Sequence, residues 1–363
     1  MYDNIRPLTD AELPQALAQI ATSPLLAPIA HFIRPNAAPE DIANQLRAIS
    51  DIHTLQDTVM RAAVDKIISS TITDFTHSGT DMLLPGRPYL FVSNHRDITL
   101  DAFLLQYLLF EYNDLYVTFG ANLMQDPTIT LIGRANRMFR VERGGTPKEF
   151  YRNMLQVSQY IRQVIVGDQH SVWIAQRNGR TKDGLDRTEV SLLKMLALSG
   201  RATREAPLLP LKALNIVPIS ISYEWEPCDL LKAHELHMRA MGPYRKAKGE
   251  DMNSVLTGIM QPKGHVHLSV TAPLTDEEID RCSATDSPFE NLAALIDRRI
   301  YAGYRLHPTN FAAYDIKLRS THFADHYSPT LREQFMARLE SVPPAERSIL
   351  LDIYAHPVKQ IYR

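Results

Sequence analysis

The chain has 363 residues, of which 45% are hydrophobic and 22% are charged, as in a soluble globular protein with a large core. Its formal charge of −2 argues against a general nucleic-acid binder, and its two cysteines, Cys228 and Cys282, provide no disulfide framework. No segment approaches about 18 uninterrupted apolar residues, and the first residues lack the pattern of a secretion signal. We therefore expect a cytoplasmic protein without a membrane span, with peripheral contact at the inner membrane face still open.

Residues 1–80 are predicted to form a helical N-terminal region. Thr9 and Glu12 have the spacing of a capping box that opens a helix. Pro39 opens a second helix, and apolar residues recur mostly on one face between Thr54 and Ile72.

Residues 81–275 change to short β-prone runs separated by helices, the pattern of an α/β domain. We expect a mixed, largely parallel sheet covered by helices. The predicted strands are 89–92, 115–119, 138–141, 171–175, 216–222 and 265–270, and the predicted helices are 99–111, 121–132, 147–166, 188–199 and 229–240. Asp186 and Glu189 have the spacing of a capping box for the helix at 188–199.

Residues 276–363 are predicted to form a helical C-terminal region. Thr275 and Ser287 cap helices by the same motif, and 309–317, 328–340 and 344–355 also have helical patterns.

The first candidate site lies where the strand at 89–92 ends in a polar loop. This loop holds His95 and Asp97, and Asp101 follows in the first turn of the next helix. A carboxylate can fix the tautomer of an imidazole and stabilise its charged form, so that the ring removes a proton from a hydroxyl. The pattern predicts a general base, although a His near an Asp is more often an ordinary loop or cap residue.

Two basic clusters follow along the chain. Residues 134–187 hold 11 Lys and Arg against 5 Asp and Glu. One cluster is Arg134, Arg137, Arg140 and Arg143, and the other follows the apolar strand at 171–175 and includes Arg177, Arg180 and Lys182. Glycine-containing loops with guanidinium groups suit a phosphate, while a solvated basic surface is the alternative. Loops at the carboxyl ends of parallel strands share one edge of the sheet, so we expect the three loops to converge.

In combination, these blocks resemble the glycerolipid acyltransferase family, the glycerol-3-phosphate and 1-acylglycerol-3-phosphate acyltransferases. Four segments carry the resemblance, which spans residues 85–275: Asn94-His95 with Asp101, 138–143, 173–181 and 216–219. Two features depart from the family pattern. Five residues separate His95 from Asp101 where the family has four, so either the loop carries an extra residue before the helix or Asp97 does part of the orienting. Asn178 stands where the family usually has Glu.

The resemblance implies transfer of a fatty acyl group from an acyl-CoA or acyl-carrier-protein thioester to the hydroxyl of a lyso-phospholipid such as 1-acylglycerol-3-phosphate. His95 would be the base, Asp101 its orienting acid with Asp97 nearby, and Arg143, Asn178, Gly179, Arg180 and Lys182 would bind the acceptor. No metal or further cofactor is implied. An amino-acid-containing lyso-lipid is an alternative acceptor, and a non-catalytic lipid- or phosphate-binding protein is the alternative function.

His265 and His267 point to one side of a predicted strand. No third ligand at useful spacing is evident, so the sequence favours a structural role for this pair over a metal site.

Overall fold

The computed structural model describes residues 2–124, 126–142, 144–203 and 205–362. Within these ranges one seven-stranded sheet has the strand order β1-β7-β6-β2-β5-β3-β4. Only the β6–β7 pair is antiparallel, so the sheet is mixed and largely parallel, which confirms the predicted fold class. The strands are β1 (Ile72–Ser78), β2 (Leu90–Ser93), β3 (Leu115–Gly120), β4 (Met138–Val141), β5 (Ser171–Ala175), β6 (Ile216–Tyr223) and β7 (Gly264–Val270).

Helices precede, separate and follow the strands. They are α1 (Leu13–Ala21), α2 (Leu26–Ile33), α3 (Pro39–Ala48), α4 (Ile52–Leu55), α5 (Arg61–Thr71), α6 (Leu100–Leu108), α7 (Pro127–Ala135), α8 (Pro147–Arg162), α9 (Val190–Ala197), α10 (Leu209–Lys212), α11 (Asp229–Met241), α12 (Glu250–Met260), α13 (Asp276–Ser283), α14 (Pro288–Gly303), α15 (Pro308–Leu318), α16 (Pro329–Glu340) and α17 (Pro344–Ile361). A π-helical turn at Gln56–Met60 joins α4 to α5. Among the described residues no single helix has the length and apolarity to cross a membrane, and α1 with α2 meets that test only as a pair bent by 92°.

The sheet separates two apolar cores. Leu90 and Val92 of β2 face a core shared with α8, α9 and α14, while Phe91 faces a core shared with α5 and α6. All four residues of β2 are buried, as expected for a central parallel strand covered on both faces. The centre of the sheet is therefore rigid, and the loop after β2 starts from a fixed point.

β1 and α12 are the longest elements that the sequence analysis did not predict. β1 lies inside the region 1–80 that was expected to be helical, and it pairs with β7. Because β1 is an edge strand and only Ile72 is buried in it, its sequence lacks the alternating apolar pattern that marks a half-buried strand. α12 was not predicted either, because its buried positions are Ser254 and Gly258, and a face of small residues gives no apolar periodicity.

Candidate active site

His95 follows the central strand of the sheet, and its neighbour Asn94 fixes where it lies. The amide of Asn94 donates to the carbonyl of Ile221 at 2.9 Å and accepts from the Ile221 N–H at 2.8 Å. This side chain thus continues the pairing of β2 with β6 by one step after Ser93. Asn94 is fully buried, so both bonds are shielded from water, and the backbone that carries His95 is held in register with β6.

The imidazole of His95 is joined to Asp101. Its Nδ1 lies 2.9 Å from Oδ2 of Asp101, which stands in the first turn of α6. The His95 side chain remains 13% exposed, whereas Asp101 is 1% exposed. Within the described ranges Nε2 of His95 has no hydrogen-bond partner, and the ring meets Trp173 edge-on at 5.7 Å between centroids. The arrangement leaves one ring nitrogen free and ties the other to a buried acid.

Asp101 receives three further hydrogen bonds. Its Oδ2 accepts from the N–H groups of Arg96 at 2.6 Å and Asp97 at 3.0 Å, and its Oδ1 accepts from the hydroxyl of Tyr223 at 2.7 Å. Burial, and next the charge of Asp101, raise the pKa of Tyr223 well above its usual value, so this phenol stays a donor. A carboxylate held by these donors has one orientation toward His95.

Asp97 has a different place from Asp101. Its Oδ1 accepts from the N–H groups of Thr99 and Leu100, both at 2.9 Å, and so caps the start of α6. Among the described residues its buried Oδ2 has no partner. The five-residue spacing between His95 and Asp101 is accommodated by this capped loop, and no hydrogen bond joins Asp97 to His95.

Asp186 connects the His95 loop to the third block. It accepts from Nη2 of Arg96 at 2.6 Å, from Nδ2 of Asn94 at 3.1 Å and from Oγ1 of Thr181 at 2.8 Å. Sequence reasoning interpreted Asp186 as a helix cap, and that interpretation is wrong, because α9 begins at Val190 after Glu189 without a side-chain cap. The carboxylate is instead a buried junction between two loops.

Arg96 is the buried cation of this junction. It is 1% exposed, and Lys232 lies beside it, donating to the Arg96 carbonyl at 2.6 Å and to Glu226 at 2.7 Å. Burial alone would lower the pKa of Arg96, but Asp186, Tyr304 and Glu226 raise it well above its usual value. The sequence alone did not identify Arg96, Tyr223, Glu226 or Lys232, since no local motif marks partners that lie on different elements.

The third-block loop lies beside His95 and borders a basic cleft. The N–H of Thr181 donates to the His95 carbonyl at 2.7 Å. The cleft has a volume of about 390 Å³, and His95 is not among the side chains that line it. It is lined by Arg177, Asn178, Gly179, Arg180, Lys182, Asp183, Leu236, Arg239 and Lys246. Four of the predicted binding residues thus lie together: Asn178, Gly179, Arg180 and Lys182. The sequence analysis did not identify Arg239 and Lys246, because they lie outside the four sequence blocks.

The cations of the cleft differ in how far they are already paired. Nζ of Lys182 lies 2.7 Å from Oε1 of Glu235, which also pairs with Arg239 at 2.7 Å. Burial lowers the pKa of Lys182, opposed by Glu235. Arg180 is 7% exposed, and its buried Nη1 has no partner among the described residues. Arg180 therefore has unused donor capacity toward an anion, and Lys182 has less than its sequence position suggests.

The first basic cluster does not form one site. Arg134 donates to the carbonyl of Arg6, Arg137 pairs with Asp114 at 2.8 Å, and Arg140 pairs with Glu142 at 2.5 Å. β4 is an edge strand, three places from β2, or about 14 Å at the usual strand spacing. Arg143 lies outside the described residues.

Comparison with known families decides the class of this domain. The Acyltransferase family model matches residues 74–222, a range from β1 to β6 that contains all four sequence blocks and the His95–Asp101 pair. Residues 74–222 belong to the acyltransferase family. This match confirms the expected acyltransferase domain, which the chain carries at residues 74–222.

Two further comparisons assign no function to the chain. No curated protein matches the chain. A similar solved structure is the 1-acyl-sn-glycerophosphate acyltransferase of Thermotoga maritima, with 14% sequence identity, a TM-score of 0.42 and coverage of 80% of this chain and 92% of that chain. At this identity and TM-score, the likeness carries no residue role over to this chain.

Proposed function

We propose that this acyltransferase moves a fatty acyl group from an acyl-CoA or acyl-carrier-protein thioester to the hydroxyl of a lyso-phospholipid such as 1-acylglycerol-3-phosphate. The observation that carries the proposal is the contact of 2.9 Å between His95 Nδ1 and the buried Asp101, inside a domain of the acyltransferase family. A partly exposed imidazole with a free nitrogen and a fixed acid partner suits proton removal from a hydroxyl.

In this mechanism Nε2 of His95 takes the proton of the acceptor hydroxyl as its oxygen attacks the thioester carbonyl carbon. Asp101 accepts a hydrogen bond from the protonated Nδ1 of His95, which leaves Nε2 free as the base, and it stabilises the imidazolium that forms. When the tetrahedral intermediate collapses, the carbon–sulfur bond breaks and the ester forms. His95 returns the proton to the departing thiolate, so neither a metal nor a covalent acyl-enzyme is required.

The acceptor phosphate is assigned to the basic cleft. Arg180, Asn178, Gly179 and Lys182 line it, and guanidinium groups match phosphate oxygens. Gly179 has a positive φ of 78°, and no atom lies within 4 Å of where its Cβ would stand, so a substrate group can approach the backbone closely there. Arg143 is proposed as a further phosphate ligand from the family resemblance alone.

The test measures acyl transfer from a labelled acyl thioester to lysophosphatidate. Removing the base in His95→Ala should lower kcat by roughly 10²–10⁴-fold, while the exposed His31→Ala serves as the matched control. Transfer that survives His95→Ala would remove the mechanism. No transfer by the wild type to any of several lyso-lipids, including amino-acid-containing ones, would favour the non-catalytic lipid- or phosphate-binding alternative, which Asn178 in place of Glu supports.

Phosphate binding is tested separately. Arg143→Ala and Arg180→Ala should raise the KM for the acceptor more than the KM for the thioester, because the lost cation touches only the phosphate. The exposed Arg187→Ala is the control. Equal effects on both KM values would contradict the assignment.

The proposed cellular site is the cytoplasm, at the inner face of the membrane, where the acceptor would be found. Contact with the bilayer is proposed to be peripheral and reversible.

A further inference from the structure

α12 exposes three of its apolar residues to solvent, although its Ile259 packs against the core. Met252, Leu256 and Met260 are 37%, 52% and 64% exposed, whereas Ser254 and Gly258 are buried. The spacing of four residues places the three apolar side chains on one face, over about 12 Å at 1.5 Å per residue. An ordinary surface helix turns its apolar stripe toward the core, whereas these three side chains are turned toward solvent. Packing in the core therefore does not explain why these three exposed side chains are apolar.

The end of the preceding helix also exposes methionine side chains. Met238 and Met241 of α11 are 40% and 74% exposed, and the chain then turns through residues 242–249 into α12. Long, unbranched methionine side chains adapt to irregular or fluid contacts. We call the three exposed apolar residues of α12, Met252, Leu256 and Met260, the methionine face.

The turn between the two helices carries unneutralised positive charge. Arg245 and Lys248 are exposed, and no hydrogen bond or ion pair joins either to another described residue. Of the nearby acids, Asp251 pairs with Lys246 at 2.5 Å and Glu250 accepts from the neutral Tyr244 hydroxyl at 2.6 Å, so residues 245–251 keep one net positive charge. The charge that this turn offers to a partner is positive.

The methionine face lies at the rim of the site. Gly258, on the opposite side of α12, is so close to Asp97 that an added Cβ would stand 2.1 Å from Oδ2. Lys246 lines the basic cleft, and Asp251 accepts from Asn122 at 2.9 Å, which ties the start of α12 to the segment after β3. A partner that binds α12 would therefore lie next to the entrance of the basic cleft.

We propose that the methionine face, with Arg245 and Lys248, is a docking surface for an anionic lipid bilayer. The apolar side chains would enter the boundary of headgroups and acyl chains, and the two cations would face lipid phosphates. Long, flexible side chains on one helix face adapt to a fluid surface. This docking role rests on the proposed function, because contact through α12 would bring the basic cleft to a lyso-phospholipid acceptor in the membrane.

The first test is flotation with mixed vesicles of phosphatidylcholine and phosphatidylglycerol. Substituting Met252→Gln, Leu256→Gln and Met260→Gln together should weaken binding by about tenfold or more, because apolar burial is lost. The matched control is Phe150→Gln with Tyr151→Gln, which removes exposed aromatic surface from α8, on the other side of the sheet. Undiminished binding of the α12 variant, or an equal loss in the α8 control, would overturn the proposal.

The charge is tested with Arg245→Gln and Lys248→Gln together. Binding to the mixed vesicles should fall by about tenfold, while the weaker binding to pure phosphatidylcholine should not change. An equal loss on both vesicle types would contradict attraction to anionic headgroups.

Two readouts separate this inference from the proposed function. His95→Ala should float like the wild type, and the α12 variant should keep wild-type transfer to a water-soluble short-chain acceptor. If the wild type transfers no acyl group but still floats through α12, the proposed function fails and the docking surface stands. If the α12 variant floats normally but loses transfer only from an acyl-carrier-protein donor, the face binds a protein and the lipid proposal fails.

Discussion

At the scale of single residues, the site depends on one carboxylate that serves several donors. Asp101 accepts from the Tyr223 hydroxyl and from two backbone N–H groups besides contacting His95. Because these donors come from β6 and from the loop itself, the position of the imidazole depends on residues that touch no substrate. Tyr223 is a positioning residue in this sense.

Tyr223→Phe should separate positioning from binding. The change leaves Oδ1 of the buried Asp101 without its phenol donor, which costs about 1–3 kcal/mol of unfolding free energy. We expect kcat to fall while the KM for the acceptor stays, because Tyr223 does not line the cleft. Steady-state kinetics with denaturant unfolding measures both quantities. A raised KM at unchanged kcat would contradict the positioning role.

Asp186→Asn tests the buried junction. The change leaves the Arg96 guanidinium, itself 1% exposed, without its nearest counter-charge. Breaking such a buried pair costs about 3–5 kcal/mol. The control is Asp280→Asn, which breaks the exposed pair with Lys212 and should cost about 0–1 kcal/mol. Similar losses in urea unfolding for the two variants would show that Asp186 is not structurally important.

At the scale of elements, α12 supports the active-site loop through a single close approach. Gly258 meets the carboxylate of Asp97, which caps α6, and α6 carries Asp101. A side chain at position 258 would therefore displace either α12 or the capped loop. The helix is coupled to the base although it contributes no reacting group.

Gly258→Ala should act against ordinary helix propensity. Alanine in a helix interior is about 1 kcal/mol more favourable than glycine, so a stabilised variant is expected where space exists. Here the added Cβ would lie 2.1 Å from Oδ2 of Asp97, and we expect a lower Tm and a lower kcat. Gly144→Ala, where no atom lies within 4 Å, should leave kcat unchanged. A stabilised and fully active Gly258→Ala would disprove the coupling.

Burial decides which elements could be predicted from the sequence and which were missed. The apolar run before His95 marked the central strand because burial on both faces demands it. β1 was hidden by its exposed edge position, and α12 by burying glycine and serine. Asp186 was misread because a capping motif and a buried ion pair use the same residue type, and only the fold shows that Arg96 lies beside it.

At the scale of the whole molecule, the C-terminal helices take part in building the site. The Tyr354 hydroxyl of α17 accepts from the Glu226 N–H at 3.0 Å and contacts Asp229 at 2.6 Å, and Arg338 of α16 pairs with Asp229. Gly184, in the third-block loop, has a φ of 76°, and an added Cβ would stand 2.3 Å from the Ile353 carbonyl. The predicted division at residue 275 therefore separates sequence patterns, while the packing continues across it.

Histidines buried between the C-terminal helices and the sheet predict how stability depends on pH. His307, just before α15, is 1% exposed and contacts Ser222 of β6 at 3.2 Å, and its ring lies 5.2 Å from that of His265 on β7. Burial, with the charges of His265 and Arg305, lowers the pKa of His307 to about 3. His267, which contacts Thr76 of β1, has its pKa lowered to about 4, mainly by burial.

These histidines are neutral in the folded protein at pH 5, whereas in the unfolded chain they bind protons below about pH 6.5. The unfolded state therefore binds more protons, and stability falls as pH decreases from 6.5 toward 4. His307 alone should account for a loss of roughly 2 kcal/mol between pH 7 and pH 5. Urea unfolding of His307→Gln at the two pH values should show a difference smaller by that amount, while the exposed His31→Gln should keep the wild-type difference. An undiminished pH dependence in His307→Gln would show that this ring does not remain neutral in the fold.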